Sequence, residues 1–156
     1  MTNETIRPRK WTSFSFNKSC MRLLLSVVWL ACANGSLLAQ TTWQSETERG
    51  LFTVTLDAGV AHVPIGSLQS WEMTLVQVGG APVSDARVVV GGGMRANGHG
   101  LPTQPEVVST KQAGSYRIEG LRFSMAGEWT LALSIDSASG RDRVLFEISL
   151  DDLSKS

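Results

Sequence analysis

The stretch EWTLALSIDSASGRDRVLFEISL, residues 128–150, decides the fold class, because apolar and polar side chains alternate on both sides of a short polar segment. Trp129 and every second residue to Ile135 share one face, and residues 144–150 repeat the pattern. Period-two alternation predicts strands buried on one face. The polar, glycine-containing segment 137–142 is typical of a hairpin connection, so we predict an antiparallel pair.

Four shorter segments upstream predict further strands. Turns rich in glycine, proline and serine separate them, and no segment has a sustained helical apolar stripe with caps. Short strands at this spacing predict an all-β fold, an immunoglobulin-like two-sheet sandwich of six to eight antiparallel strands. The four segments are residues 51–56, 68–78, 86–90 and 116–121.

The first 39 residues have the pattern of a secretory signal peptide. Arg22 precedes an apolar run at 23–33, and small and polar residues follow it up to Ala39. The run is shorter than the roughly 20 residues of a bilayer-spanning helix. We therefore predict cleavage after Ala39, with an uncleaved anchor helix as the alternative. A methionine directly before Arg22 would also serve as a start, which would make residues 1–20 an overlong N-terminus.

The predicted order is a leader at 1–39, a flexible N-terminus at 40–49, a β-sandwich domain at 50–150 and a tail at 151–156. Five basic residues against one acid give the leader +4, and since the whole chain is neutral the remainder carries −4. An acidic domain without a basic stripe argues against nucleic acid as a partner. We expect a periplasmic or otherwise extracytoplasmic location, with membrane contact only through an uncleaved leader.

Both cysteines, Cys20 and Cys32, lie in the leader, so the mature domain has no disulfide and no thiolate metal ligand. Cys32 also raises the alternative of a lipid anchor, although Trp29 stands where a small aliphatic residue is expected. The chain has no G-x-S-x-G motif, and acids such as Glu128 and Glu147 fall on the polar faces of strands. We therefore expect no enzyme.

Residues 91–105, GGGMRANGHGLPTQP, break the strand pattern and predict a long loop with unusual backbone demands. Met94 and His99 lie in this loop, and Met125 directly precedes the Trp129 strand. Thioether sulfur and imidazole nitrogen together suit copper, Cu(I) above all. The alternative is a connection at the end of the sandwich, with methionines filling the core. Met73, in the 68–78 strand, is expected in the core.

Two further sequence elements carry a family resemblance. They are HGLPTQP at 99–105 and GSYRIEGLRFSMAGEW at 114–129. Together they resemble the YtkA-like domain family, related in fold to the FixH-like proteins, over about residues 50–150. The resemblance implies a small exported or membrane-anchored β-sandwich that handles copper or assists redox enzymes outside the cytoplasm.

The loop of that family commonly reads Met-Pro-x-His-x-His-Gly. By this match Met94 and His99 keep the methionine and the second histidine, whereas Arg95 and Asn97 replace the proline and the first histidine. Met125 keeps the methionine before Gly-x-Trp. The resemblance thus implies a copper site of Met94, His99 and Met125 on a non-catalytic accessory domain, with a periplasmic redox protein as partner. The alternative is an interaction or structural module without a metal site.

Overall fold

The structure is a computed structural model that describes residues 40–96 and 98–151. All regular secondary structure in this part of the chain is β-strand. The same residues contain no helix that could cross a membrane. The predicted leader at 1–39 and the tail beyond residue 151 lie outside the described residues. The strands are β1 (Thr42–Glu46), β2 (Phe52–Asp57), β3 (Gln69–Gln77), β4 (Arg87–Met94), β5 (His99–Gly100), β6 (Glu106–Ser109), β7 (Ser115–Leu121), β8 (Gly127–Ser137) and β9 (Gly140–Leu150).

The strands form two antiparallel sheets. The first sheet has the order β1-β2-β3-β7-β6, and the second has the order β5-β4-β8-β9. Their inward faces share one hydrophobic core, whose largest members include Trp71 and Trp129. The predicted all-β two-sheet sandwich is confirmed. The described part holds nine strands rather than six to eight because β1, β5 and β6 are short strands that the sequence pattern did not reveal.

The β8–β9 hairpin confirms the predicted alternation. Trp129 and its alternate partners on β8 are buried, as are residues 144–150 at every second position on β9. The turn is tighter than predicted, since Ser137 pairs with Gly140 and only residues 138–139 connect the strands. Gly140 has a φ of 124°, which favours glycine and lets the ladder continue to the turn. Met73 is fully buried, as expected.

Residues 40–49, expected to form a flexible N-terminus, contain β1, all five residues of which pair with β2. The indole of Trp43 lies half-buried on Trp71, with ring centroids 4.9 Å apart and planes 13° from parallel. Such stacking stabilises the fold beyond the contribution of the buried aromatic area. The segment therefore adds a strand to the edge of the first sheet.

Asp142 joins the two sheets. Its carboxylate, in a residue only 8% exposed, accepts hydrogen bonds from the backbone amides of Arg49, Leu51 and Arg143 at 2.8–3.2 Å. Burial raises the pKa of this carboxyl, but hydrogen bonding by the Thr47 hydroxyl and the backbone amides outweighs burial and holds the pKa below its usual value. The β1–β2 turn is thereby fixed to the start of β9.

Tyr116 fixes the connection between β3 and β4. Its hydroxyl donates to the Val83 carbonyl at 2.7 Å and accepts from the Ala86 amide at 3.1 Å. The residue is 2% exposed, and burial raises the pKa of the phenol. The hydroxyl therefore satisfies two backbone groups inside the sandwich, as buried polar groups require.

Candidate functional site

A hairpin of β4 and β5 brings Met94 and His99 together. The two residues are register partners across the strands, and Gly93 pairs with Gly100 beside them. Register partners of an antiparallel pair project to the same face of the sheet, with Cα atoms about 4.5–5.5 Å apart. The predicted loop at 91–105 is therefore wrong in its first part, because β4 continues to Met94.

Two glycines explain why this segment is a strand. A Cβ on Gly92 would lie 2.2 Å from the Thr130 carbonyl oxygen, and one on Gly93 would lie 2.2 Å from the His99 carbonyl oxygen. Gly92 has a φ of 149°, a conformation that side chains rarely adopt. The glycines thus permit close approach of β4 to both neighbouring strands.

Met94 also contacts the start of β8. Its terminal methyl is 2.8 Å from where a Cβ on Gly127 would lie. Met125 is two residues before Gly127, and its carbonyl accepts a hydrogen bond from the indole of Trp129 at 3.0 Å. Because β4 ends where β8 begins, the segments carrying the three predicted ligands lie at the same end of the sandwich.

The three side chains differ in exposure. Met94 is 6% exposed and belongs to the core, whereas Met125 is 39% exposed. His99 is exposed, and its ring makes no hydrogen bond or ion pair with any residue in the described ranges. A thioether at the edge of the core and an accessible imidazole are thus adjacent on one hairpin.

The donor set is soft. Among the described residues no three or more His, Cys, Asp or Glu side chains form a group that could hold a metal ion. The thioethers of Met94 and Met125 and the imidazole of His99 are the chemistry that Cu(I) accepts. Asn97, which replaces the first histidine of the family pattern, lies outside the described residues.

A groove of about 550 Å³ lies on the outer face of the second sheet, and the sequence interpretation missed it. We call it the outer groove. Gly91 and Gly93 on β4 face Ala132 and Thr130 on β8, so its centre carries only small side chains. The signal in the sequence was a glycine run that directly continues the predicted strand at 86–90. The residues that line the outer groove are Val89, Gly91, Gly92, Gly93, Met94, Arg95, Gly98, His99, Gly100, Thr130, Ala132, Ser134, Arg143 and Leu145.

Comparison with known proteins identifies the family. The family model described as YtkA-like matches residues 48–134, more than half of the chain. The chain belongs to the YtkA-like family. No curated protein and no solved structure matches it significantly.

The YtkA-like match agrees with the resemblance carried by the two sequence elements. It includes all three predicted copper ligands, Met94, His99 and Met125, and most of the outer groove. The match ends within β8, so β9 lies beyond it. In this structure β9 pairs along the whole of β8 and completes the second sheet.

Proposed function

We propose that this YtkA-like protein is a non-catalytic accessory domain outside the cytoplasm that holds Cu(I) with Met94, His99 and Met125. The family supports an extracytoplasmic accessory role, and the leader pattern at 1–39 supports export. Copper would be cargo that the domain buffers or delivers. Its partner would be a redox protein in the same compartment.

The register of the β4–β5 hairpin is the observation that carries this proposal. It makes Met94 and His99 neighbours across the two strands. The contact of the Met94 methyl with Gly127 links that pair to the segment bearing Met125. Two thioethers and one imidazole provide a three-donor set of the kind that soft Cu(I) prefers.

Competition with a chromophoric Cu(I) chelator under anaerobic conditions tests the proposal. We expect the purified protein to bind one Cu(I) more tightly than micromolar, with His99→Ala and Met94→Leu each weakening binding about tenfold or more, a loss of roughly 1.4 kcal/mol. The matched controls are His62→Ala and Met73→Leu, which remove an exposed histidine and a core methionine elsewhere. Affinity weaker than micromolar, or equal losses in the controls, would exclude the metal site.

The second candidate is a protein-interaction module without a metal site. The burial of Met94 in the core favours it, because methionine often fills gaps in cores. In that case copper titrations would show no saturable site, and Met94→Leu would only lower stability slightly. The hairpin and its surroundings would then serve to present a surface.

A further inference from the structure

We propose that the outer groove docks an extended acidic segment of a partner protein that also carries an apolar side chain. The inference goes beyond the copper proposal and holds whether or not copper binds. It depends on three features of the groove: an open floor at Gly91, two exposed aliphatic side chains, and Arg143, which makes no ion pair within the described part of the chain.

Gly91 is the first feature. Its φ is not positive, and a Cβ added there would meet no atom within 4 Å. Nothing in the backbone therefore requires glycine, unlike at Gly92 and Gly93. Glycine in a strand interior weakens the strand by leaving no side chain to pack, and it often marks a place where a ligand or another chain approaches closely. The space above Gly91 is the space that a docked chain would use.

The second feature is apolar surface beside this floor. Val89 is 55% exposed and Leu145 is 39% exposed, and both line the groove. Gly91 pairs with Ala132, which in turn pairs with Leu145, so the low floor spans two strands and Leu145 stands beside it on the third. An apolar side chain lying on this floor would contact Val89 on one side and Leu145 on the other.

Charge is the third feature. The outer face of the second sheet has four arginines and three acids, a net charge of +1, whereas the rest of residues 40–151 carries −5. Arg95 lies 3.6 Å from Glu147, and Arg141 lies 2.8 Å from Asp136. Arg143 lines the groove and makes no ion pair within the described ranges, whereas Arg87 lies outside the groove and opposite Asp136. The charged residues of this face are Arg87, Arg95, Arg141, Arg143, Glu128, Asp136 and Glu147.

These features fit an acidic peptide segment. Arg143 lines the groove directly, and its guanidinium can bind a carboxylate through two parallel hydrogen bonds. From Val89 to Met94 the groove follows β4 for five residue steps, about 17 Å at 3.3 Å per residue, which accommodates about six extended residues.

The test uses metal-free protein with excess chelator and a fluorescein-labelled peptide, Ser-Asp-Leu-Thr-Leu-Asp-Ser. Binding is followed by fluorescence anisotropy and located by amide chemical shifts. We expect saturable binding with shifts centred on Gly91, Ala132 and Leu145. The peptide with both aspartates replaced by asparagine should bind about fivefold more weakly, since an exposed ion pair contributes up to about 1 kcal/mol.

Three substitutions separate the explanations. Gly91→Val fills the floor at a position where an added Cβ meets no atom within 4 Å, and it should weaken binding about tenfold or more while the protein stays folded. Arg143→Gln should weaken binding about fivefold, whereas Lys111→Gln, an exposed cation in the β6–β7 connection, should have no effect. Met125→Leu, which removes a proposed copper ligand outside the groove, should leave peptide binding unchanged.

The docking inference fails on any of three results. Unchanged affinity in Gly91→Val would overturn it, and so would an asparagine peptide that binds as tightly as the acidic one. Equal binding of heparin with the same shifts would show a general polyanion surface instead of a peptide groove. Loss of copper binding alone would leave the docking result untouched, so the two proposals fail separately.

Discussion

Replacing Asp142 with alanine tests how much one buried carboxylate contributes to joining the sheets. The substitution removes the acceptor for the amides of Arg49 and Leu51, which lie in the β1–β2 turn. A hydrogen bond to a charged group contributes about 1.5–3 kcal/mol, so at the lower end of this range the two cross-sheet bonds together give about 3 kcal/mol. At about 4 °C per kcal/mol for a domain of this size, the melting temperature should fall by about 12 °C.

The pH dependence follows from the direction of the pKa shift. The pKa of Asp142 is lower in the folded protein than in the unfolded chain, so its contribution is complete above the unfolded pKa and is lost as pH falls through the folded pKa. The stability difference between the original protein and Asp142→Ala should therefore be constant near neutral pH. It should shrink only below about pH 4, the ordinary range of an aspartate.

Urea unfolding at several pH values measures this difference. Asp142→Asn retains one acceptor oxygen and should fall between the original protein and Asp142→Ala. Asp136→Asn is the matched control, because it breaks an exposed ion pair with Arg141 that contributes at most about 1 kcal/mol. A loss below about 1 kcal/mol in Asp142→Ala, or one equal to that of Asp136→Asn, would refute the assigned role.

Two further predictions concern the backbone of the sandwich. Gly92→Ala should lower the free energy of unfolding by about 3 kcal/mol, because the new Cβ would lie 2.2 Å from the Thr130 carbonyl oxygen. Gly91→Ala should be neutral or stabilise by up to about 1 kcal/mol, and urea midpoints of the two variants measure the difference. Tyr116→Phe should cost about 1–2 kcal/mol and speed amide exchange in the β3–β4 connection, since it removes the hydroxyl bonded to Val83; unchanged exchange there would contradict this.

The strands with strong alternation could be predicted from the sequence. Trp71, Met73 and Leu75 share the inner face as expected, because an apolar residue at every second position has a single favourable orientation on a half-buried sheet. The short strands β1 and β6 escaped prediction. Trp43 is the only large apolar side chain of β1, and its burial depends on Trp71, a residue distant in sequence.

The glycine segment was harder to interpret for a physical reason. Glycine permits both loops and close strand pairing, so GGG after three valines does not distinguish them. Pairing of residues 88–93 with β8 makes this segment a strand. Because β8 is distant in sequence, the residues around the glycines do not reveal this pairing. Met94 and His99 were singled out from the sequence for their chemistry, and the copper site stays a prediction. Their pairing across a hairpin, and the open space above Gly91, required the fold.

The stack of Trp43 on Trp71 has an optical consequence. Two indoles with ring centroids 4.9 Å apart are close enough to couple their electronic transitions, so the near-ultraviolet circular dichroism of the pair changes when the stack opens. The stack persists only while β1 stays paired with β2, the strand that lies between β1 and β3 in the sheet. If the circular dichroism of the tryptophan pair is lost at temperatures where the far-ultraviolet signal of the strands persists, then β1 alone has frayed. The molecule therefore has its own spectroscopic marker for the edge of its first sheet.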